Sequence, residues 1–341
     1  MTRLAWWAVL ALLMLPAWSG CREIPADRLY ALKLEAPPTD ADWERALPRQ
    51  VVVKGGRLHE MRGQVDLSQD TVHTSTPSCH HGGALPDPIR VDMRAFYTDN
   101  DLYLRLSWVD ATRDDRLRHW RFDGESWHNE GGLEDGFGLL WADRAEFPRF
   151  TCAQACHIKD FAVSGAAFHA GHRMRLKDQG PWLDLWHWRA DLSARLGFAD
   201  DRRLDSEGMH PDQPGELFRE NSLAALRPEL GLAPFAPGDQ PQRDGDNRPA
   251  TGFRPPGSGA PGYLVDAPRG GRADVSAWSR HEAGRWTVIL RRALDTGDPH
   301  DILFQPGDTE GVAFGLSIMD HTPVDHYAST LEEILVLLPE K

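Results

Sequence analysis

The strongest constraint on this chain is a pair of alternating runs joined by a polar tetrapeptide. Ile89, Val91, Met93, Ala95 and Tyr97 alternate with Arg90, Asp92 and Arg94. After Thr98-Asp99-Asn100-Asp101 the alternation resumes at Leu102, Leu104, Leu106 and Trp108. A two-residue period on both sides of a short turn predicts an antiparallel hairpin with one buried face. That face needs a second sheet against it, and the chain offers the strands. Phe137, Leu139 and Trp141 alternate, as do Trp286, Val288 and Leu290, then Val312, Phe314, Leu316 and Ile318; Ile334 to Leu338 is a last apolar run, and Gln50 to Lys54 reads as the first strand. Neither a long helical stripe nor βαβ alternation is present. The expected fold is therefore all-β, an antiparallel β-sandwich with few short helices and loops gathered at one end. With 41% hydrophobic residues and 13 Trp, the chain has enough material for such a core.

The N-terminus reads as an address. Met1-Thr2-Arg3 precedes an apolar run from Leu4 to Trp18, too short for a comfortable span of about 20 residues and typical of a secretory leader. Trp18-Ser19-Gly20-Cys21 resembles a lipoprotein cleavage site, with Cys21 as the lipidated new terminus and the membrane contact. The organisation expected is a leader over 1–20, a Pro-, Asp- and Arg-rich tether over 21–49, and one domain over 50–341 with a Pro/Gly-rich insertion at 234–270. Removing the leader takes away Arg3, leaving 37 basic (38 − 1) against 51 acidic residues, a net charge of −14. Nucleic acid is excluded as a partner by that balance, because phosphate binding needs concentrated positive charge. The acidic surface either steers a basic redox partner or keeps the protein soluble.

Chemistry concentrates at Thr151-Cys152-Ala153-Gln154-Ala155-Cys156-His157. Two thiols separated by three residues, followed directly by an imidazole, can add to the two vinyl groups of haem and ligate its iron. The usual attachment pattern has two intervening residues. The same residues could hold zinc if Cys79 or His80 completed four ligands, form a redox disulfide, or be ordinary buried thiols. An oxidising compartment weighs against zinc modules and favours haem attached after export.

Other stretches bear on a pocket. Residues 67 to 88, with His73, Cys79, His80 and His81, read as a surface or pocket-lining loop. His169, His172 and Met174 follow the Cys motif. Pro181 to Ala190 is the densest aromatic segment, and Trp182, Trp186 and Trp188 could wall a flat macrocycle, fill a β-core or form a sugar platform. Asp244-Gly245-Asp246 resembles a fragment of a calcium loop without its remaining ligands. Glycine-rich phosphate loops and a Gly-x-Ser-x-Gly elbow are lacking, so hydrolase chemistry has no anchor.

Taken together, the hairpin from Val91 to Asp110, Glu134-Asp135 leading to Trp141, Cys152-x3-Cys156-His157, Asp184-Leu185-Trp186-His187-Trp188-Arg189-Ala190, Trp286 through Leu294-Asp295-Thr296, and His326-x2-Ser329 resemble a known family in order and spacing. It is the haem-binding domain related to the γ subunit of ethylbenzene dehydrogenase, found in type II dimethyl-sulfoxide-reductase-like enzymes and related c-type cytochromes. The resemblance implies a β-sandwich similar to carbohydrate-binding modules, with haem held by loops at one end. It implies one covalently attached haem c, His157 as the first iron ligand and His326 as the second, with Met319, Met174 and His321 as alternatives. The function implied is that of a periplasmic electron carrier serving an unidentified redox partner protein. Rival readings are an exported binding module with a disulfide or zinc site, and a haem sensor or peroxidase with an open distal position.

Overall fold

The computed structural model describes residues 28–56, 87–150, 155–156, 175–176, 179–223, 239–321, 326–329 and 331–340. In chain order the first strands are β1 (Arg28–Lys33), β2 (Arg49–Gly56), β3 (Ile89–Tyr97), β4 (Asp101–Val109), β5 (Trp120–Phe122), β6 (Trp127–Asn129), β7 (Gly136–Ala142), β8 (Ala155–Cys156), β9 (Arg175–Leu176) and β10 (Leu183–Arg189). They continue as β11 (Phe198–Asp205), β12 (Gly208–Pro211), β13 (Phe218–Glu220), β14 (Gly259–Ala260), β15 (Tyr263–Val265), β16 (Val275–His281), β17 (Arg285–Ala293), β18 (Val312–Met319), β19 (His326–Ser329) and β20 (Glu333–Leu337). One short α-helix, α1 (Asp40–Arg45), precedes β2. Among the described residues no helix is long and apolar enough to cross a membrane.

The strands close on themselves. Following hydrogen-bonded neighbours from β2 gives β3, β4, β17, β16, β11, β10, β7, β18 and β19, and β19 pairs back onto β2. Every pairing in this ring is antiparallel. Flattening it brings β3, β4, β17 and β16 over β11, β10, β7 and β18, a sandwich whose sheet edges are joined. The hairpin read from sequence is β3–β4, with Val91, Met93, Ala95, Leu104, Leu106 and Trp108 all fully buried. Its turn is closed by the Thr98 amide donating to the Asp101 carbonyl at 2.8 Å, and by the Asp101 amide donating to Thr98 Oγ1 at 3.2 Å.

Aromatic rings fill the space between the layers. Trp108 of β4 packs edge-on to Trp188 of β10 and Phe137 of β7, with ring centroids 6.2 Å apart in both pairs, and Trp188 lies 5.2 Å from Trp286 of β17. Each buried indole supplies on the order of 5 kcal/mol of transfer free energy, an upper bound because the unfolded chain is itself partly collapsed.

The expected tether is folded from residue 28 onward. β1 pairs in parallel with both β20 and β3, and its Leu29 and Ala31 are fully buried. Trp43 of α1 packs on Phe96 at 5.3 Å. The sequence conceals this because β1 offers only two inward residues and α1 a single aromatic anchor, too few for a periodic signal. The described part of the expected insertion, 239–270, is ordered by polar side chains instead of a core. Asn221 donates to the carbonyls of Arg243 and Pro261, both at 2.8 Å, and accepts from the amides of Gln242 and Arg243. Asp244 accepts from the amides of Asp246 and Arg248, so the Asp-Gly-Asp triplet is a turn fixed by its own first carboxylate.

Candidate functional site

The layer containing β10, β7, β18 and β19 has two faces with different chemistry. On β10, Asp184, Trp186 and Trp188 point inward, while Leu183, Leu185 and His187 point outward, as a two-residue period requires. The outward face is buried and built largely from small residues. In register from β10, His187 stands beside Gly138 of β7, then Ser317 of β18 and Ala328 of β19; Ala313 and Gly315 continue the strip along β18. A Cβ on Gly138 would stand 2.8 Å from Ser317 Oγ, and one on Gly136 would stand 2.8 Å from the Trp188 carbonyl and 3.3 Å from Met319 Cε. Backbone crowding therefore requires glycine at Gly136, while a side chain at Gly138 would have to displace the Ser317 hydroxyl. Leu140, Leu183, Leu185, Leu204, Phe147 and Phe150 border it as a second apolar cluster.

The β8–β9 ribbon, which contains Cys156, meets this outward face through Leu176. Cys156 pairs in register with Arg175 in the β8–β9 ribbon, and the neighbouring Leu176 packs into the cluster with Leu183 and Leu204. β9 also lies against β11 and β12. Cys152, His157, His169, His172 and Met174 fall outside the described residues, as do the leader, Cys21 and the Cys79-His80-His81 loop.

His326 opens β19 and shares the side of Ala328, hence the same outward face. Continuing the β18–β19 register sets it opposite Met319. That row also contains Gly136 and Arg189, at the far end of β10 from Leu183, about 20 Å along the strands. The structure places His326 and the Cys156 ribbon on one face but at opposite ends of it. His321 is engaged elsewhere: its Nδ1 lies 2.9 Å from Asp114 and its amide donates to Asp135.

His187 lies between these two ends and was not singled out from sequence. Burial, reinforced by the positive charges of Arg189 and Arg202, holds its pKa well below the usual imidazole range, so it is neutral near pH 7 and able to act as a ligand. The signal was in the strand parity, since in Leu185-Trp186-His187-Trp188 the imidazole must face away from both indoles.

That parity matches the β-core reading of the aromatic segment. Trp186 and Trp188 are 1% and 0% exposed and belong to the interior core. They face away from the side on which the Cys156 ribbon packs, and so wall neither an outward site nor a sugar platform. Trp182 is part-buried against the same core, beside His300.

Each end of the interior is closed by three aspartates. At one end Asp184, Asp201 and Asp301 surround Arg292, whose side chain is fully buried, 2.7 Å from Asp301, 3.4 Å from Asp184 and stacked 5.4 Å from both Trp186 and Phe304. Burial pushes Asp184 up to about 7 against the pull of Arg292, and Asp201 well above the usual range. At the other end, Asp110 follows β4, Asp135 precedes β7 and Asp320 follows β18; one carboxylate oxygen from each lies within 4.8 Å of the others. Asp135 accepts from the indole of Trp286 at 2.9 Å and the amides of Asp114 and His321 at 2.9 and 3.0 Å, and burial raises it to about 7. The adjoining Glu134 accepts from the amides of Asp191 and Leu192 and pairs with Arg189, anchoring the end of β10.

A closed antiparallel sandwich with a strip of small residues on one outer face and carboxylates buried at both ends defines the class of domain. The chain belongs to the ethylbenzene dehydrogenase family, whose model matches residues 40–327. No curated protein matches the chain. Among solved structures it is similar to a family 9 carbohydrate-binding module from Caldicellulosiruptor kristjanssonii in complex with cellotriose, at 9% identity over 92% of this chain and 95% of that one, with a TM-score of 0.33. A putative carbohydrate-binding protein from Bacteroides uniformis is similar at 10% identity over 90% of both chains, with a TM-score of 0.32.

Proposed function

We propose that this protein is an exported single-haem c-type cytochrome that passes electrons to or from a redox partner protein, with the haem joined to Cys152 and Cys156. The observation that carries the reading is Cys152-x3-Cys156-His157 within a member of the ethylbenzene dehydrogenase family. Bound haem would supply one-electron redox chemistry. His157, next to the second thioether, is the proximal ligand. His326 is the distal ligand expected from the family pattern, and His187, a neutral imidazole closer in register to the Cys156 ribbon, is its competitor.

The chain's own contribution is a flat, water-excluding support. Gly138, Gly315, Ala313 and Ala328 would present little side-chain bulk to a bound macrocycle, and Leu140, Leu183, Leu185 and Phe150 would supply apolar surroundings for it. Two protein ligands on the iron would leave no open position for substrate, which favours electron transfer over catalysis. Localisation in the periplasm, with Cys21 as a lipid anchor, follows from the leader and from haem attachment after export. Haem staining of a denaturing gel tests the attachment: a stained band after expression with haem-maturation machinery supports the proposal, and an unstained band argues for a binding module with a disulfide or zinc site.

A further inference from the structure

The two aspartate triads differ in how their charge is balanced. Around Asp184, Asp201 and Asp301 a buried guanidinium supplies the counter-charge from within. At the other triad, neither Asp110 nor Asp135 lies within ion-pair reach of a lysine or arginine among the described residues. The charges acting most strongly on Asp110 are the carboxylates of Asp320 and Asp114 and the imidazole of His281. His281 donates its Nε2–H to the Asp110 backbone carbonyl, 2.9 Å away, and does not bridge the carboxylates.

A second observation points at a ligand. Asp110 is 8% exposed, its Oδ1 accepts from the Thr112 amide at 3.1 Å, and its Oδ2 is buried without any hydrogen-bond partner. A buried carboxylate oxygen left bare costs free energy that native structures rarely leave uncompensated. On Asp135, Oδ1 accepts the His321 amide at 3.0 Å and no other donor among the described residues. Three oxygens from three strand ends thus converge within 4.8 Å, with two of the three residues held in place by backbone and indole donors.

We infer that Asp110, Asp135 and Asp320 form a binding site for a divalent cation, calcium in preference to magnesium. An all-oxygen set suits a hard cation. Calcium tolerates irregular geometry and takes its remaining ligands from water or carbonyls, whereas magnesium demands a near-ideal octahedron. The ion would tie the end of β4 to the start of β7 and the end of β18, joining the two layers of the sandwich at one rim. The site is independent of the haem reading.

The test is a calorimetric titration of calcium chloride into the chelator-treated, full mature chain, paired with thermal melts. One ion per chain is expected, with Kd between about 10⁻⁵ and 10⁻³ M. Saturating calcium should raise the melting temperature by about 5 °C. Asp110→Asn and Asp320→Asn should each weaken uptake at least about tenfold while keeping the wild-type circular dichroism spectrum. Asp320 is part-exposed, so its variant keeps the test readable if the Asp110 variant fails to fold. No uptake at about 10 mM calcium, uptake unchanged in Asp320→Asn, or magnesium bound as tightly as calcium would overturn the inference.

Discussion

The indole N–H of Trp286 donates to Oδ2 of Asp135 across 2.9 Å, joining β17 of one layer to the start of β7 in the other. Trp286 also packs on Trp108 and Trp188, so one side chain is both interior filler and polar anchor. Replacing it by Phe keeps most of the apolar volume and removes the donor. The expected loss is about 2 kcal/mol in urea unfolding, the magnitude for a hydrogen bond to a buried charged acceptor. A loss below about 0.5 kcal/mol would show that the bond contributes little.

Arg292 balances the opposite end. Arg292→Met removes the guanidinium and leaves three buried carboxylates around an apolar side chain. Removing one partner of such a network costs about 3–5 kcal/mol. Adding Asp301→Asn to Arg292→Met should recover part of that loss, because the two positions share one interaction. Strictly additive losses in the double-mutant cycle would contradict the coupling.

The pH dependence of stability follows from the same end. Asp212 is raised to about 7, first by burial and then by the charges of Asp301, Asp184 and Asp298. An unfolded aspartate titrates near 3.9. Between those values the folded state holds a proton that the unfolded state has lost, so this group's contribution is full below about pH 4 and falls as pH rises to about 7. Asp212→Asn should flatten that slope and be more stable than wild type at about pH 8. Parallel melting curves from pH 4 to 8 for the two proteins would rule this out.

The axial ligand is tested by comparing His187→Ala with His326→Ala in haem-loaded protein. The variant that loses the distal ligand should change from a low-spin to a high-spin ferric spectrum, while the other stays low-spin. If both stay low-spin, Met319 or Met174 takes the position.

Much of the sandwich was legible because its strands bury one face each. Val91 to Trp108 and Val312 to Ile318 carry a two-residue period that survives any turn geometry. β1 and α1 were hidden, since their places depend on pairing with β20 and packing on Phe96, contacts distant in sequence. The aromatic segment was legible as buried strand but not as to side; only register with β7 shows that Trp186 and Trp188 fill the interior while His187 faces out. Neither aspartate triad could be read at all. Asp110, Asp135 and Asp320 end or begin three different strands, and only closure of the ring brings them together.

The most direct measurement is the intact mass of the chain purified after expression with haem-maturation machinery, alongside Cys152→Ser/Cys156→Ser. Wild type should carry the added mass of one haem that survives denaturation and shows a c-type reduced spectrum, and the double variant should carry none. A wild-type mass equal to that of the polypeptide alone would contradict the covalent haem and, with it, the electron-carrier function.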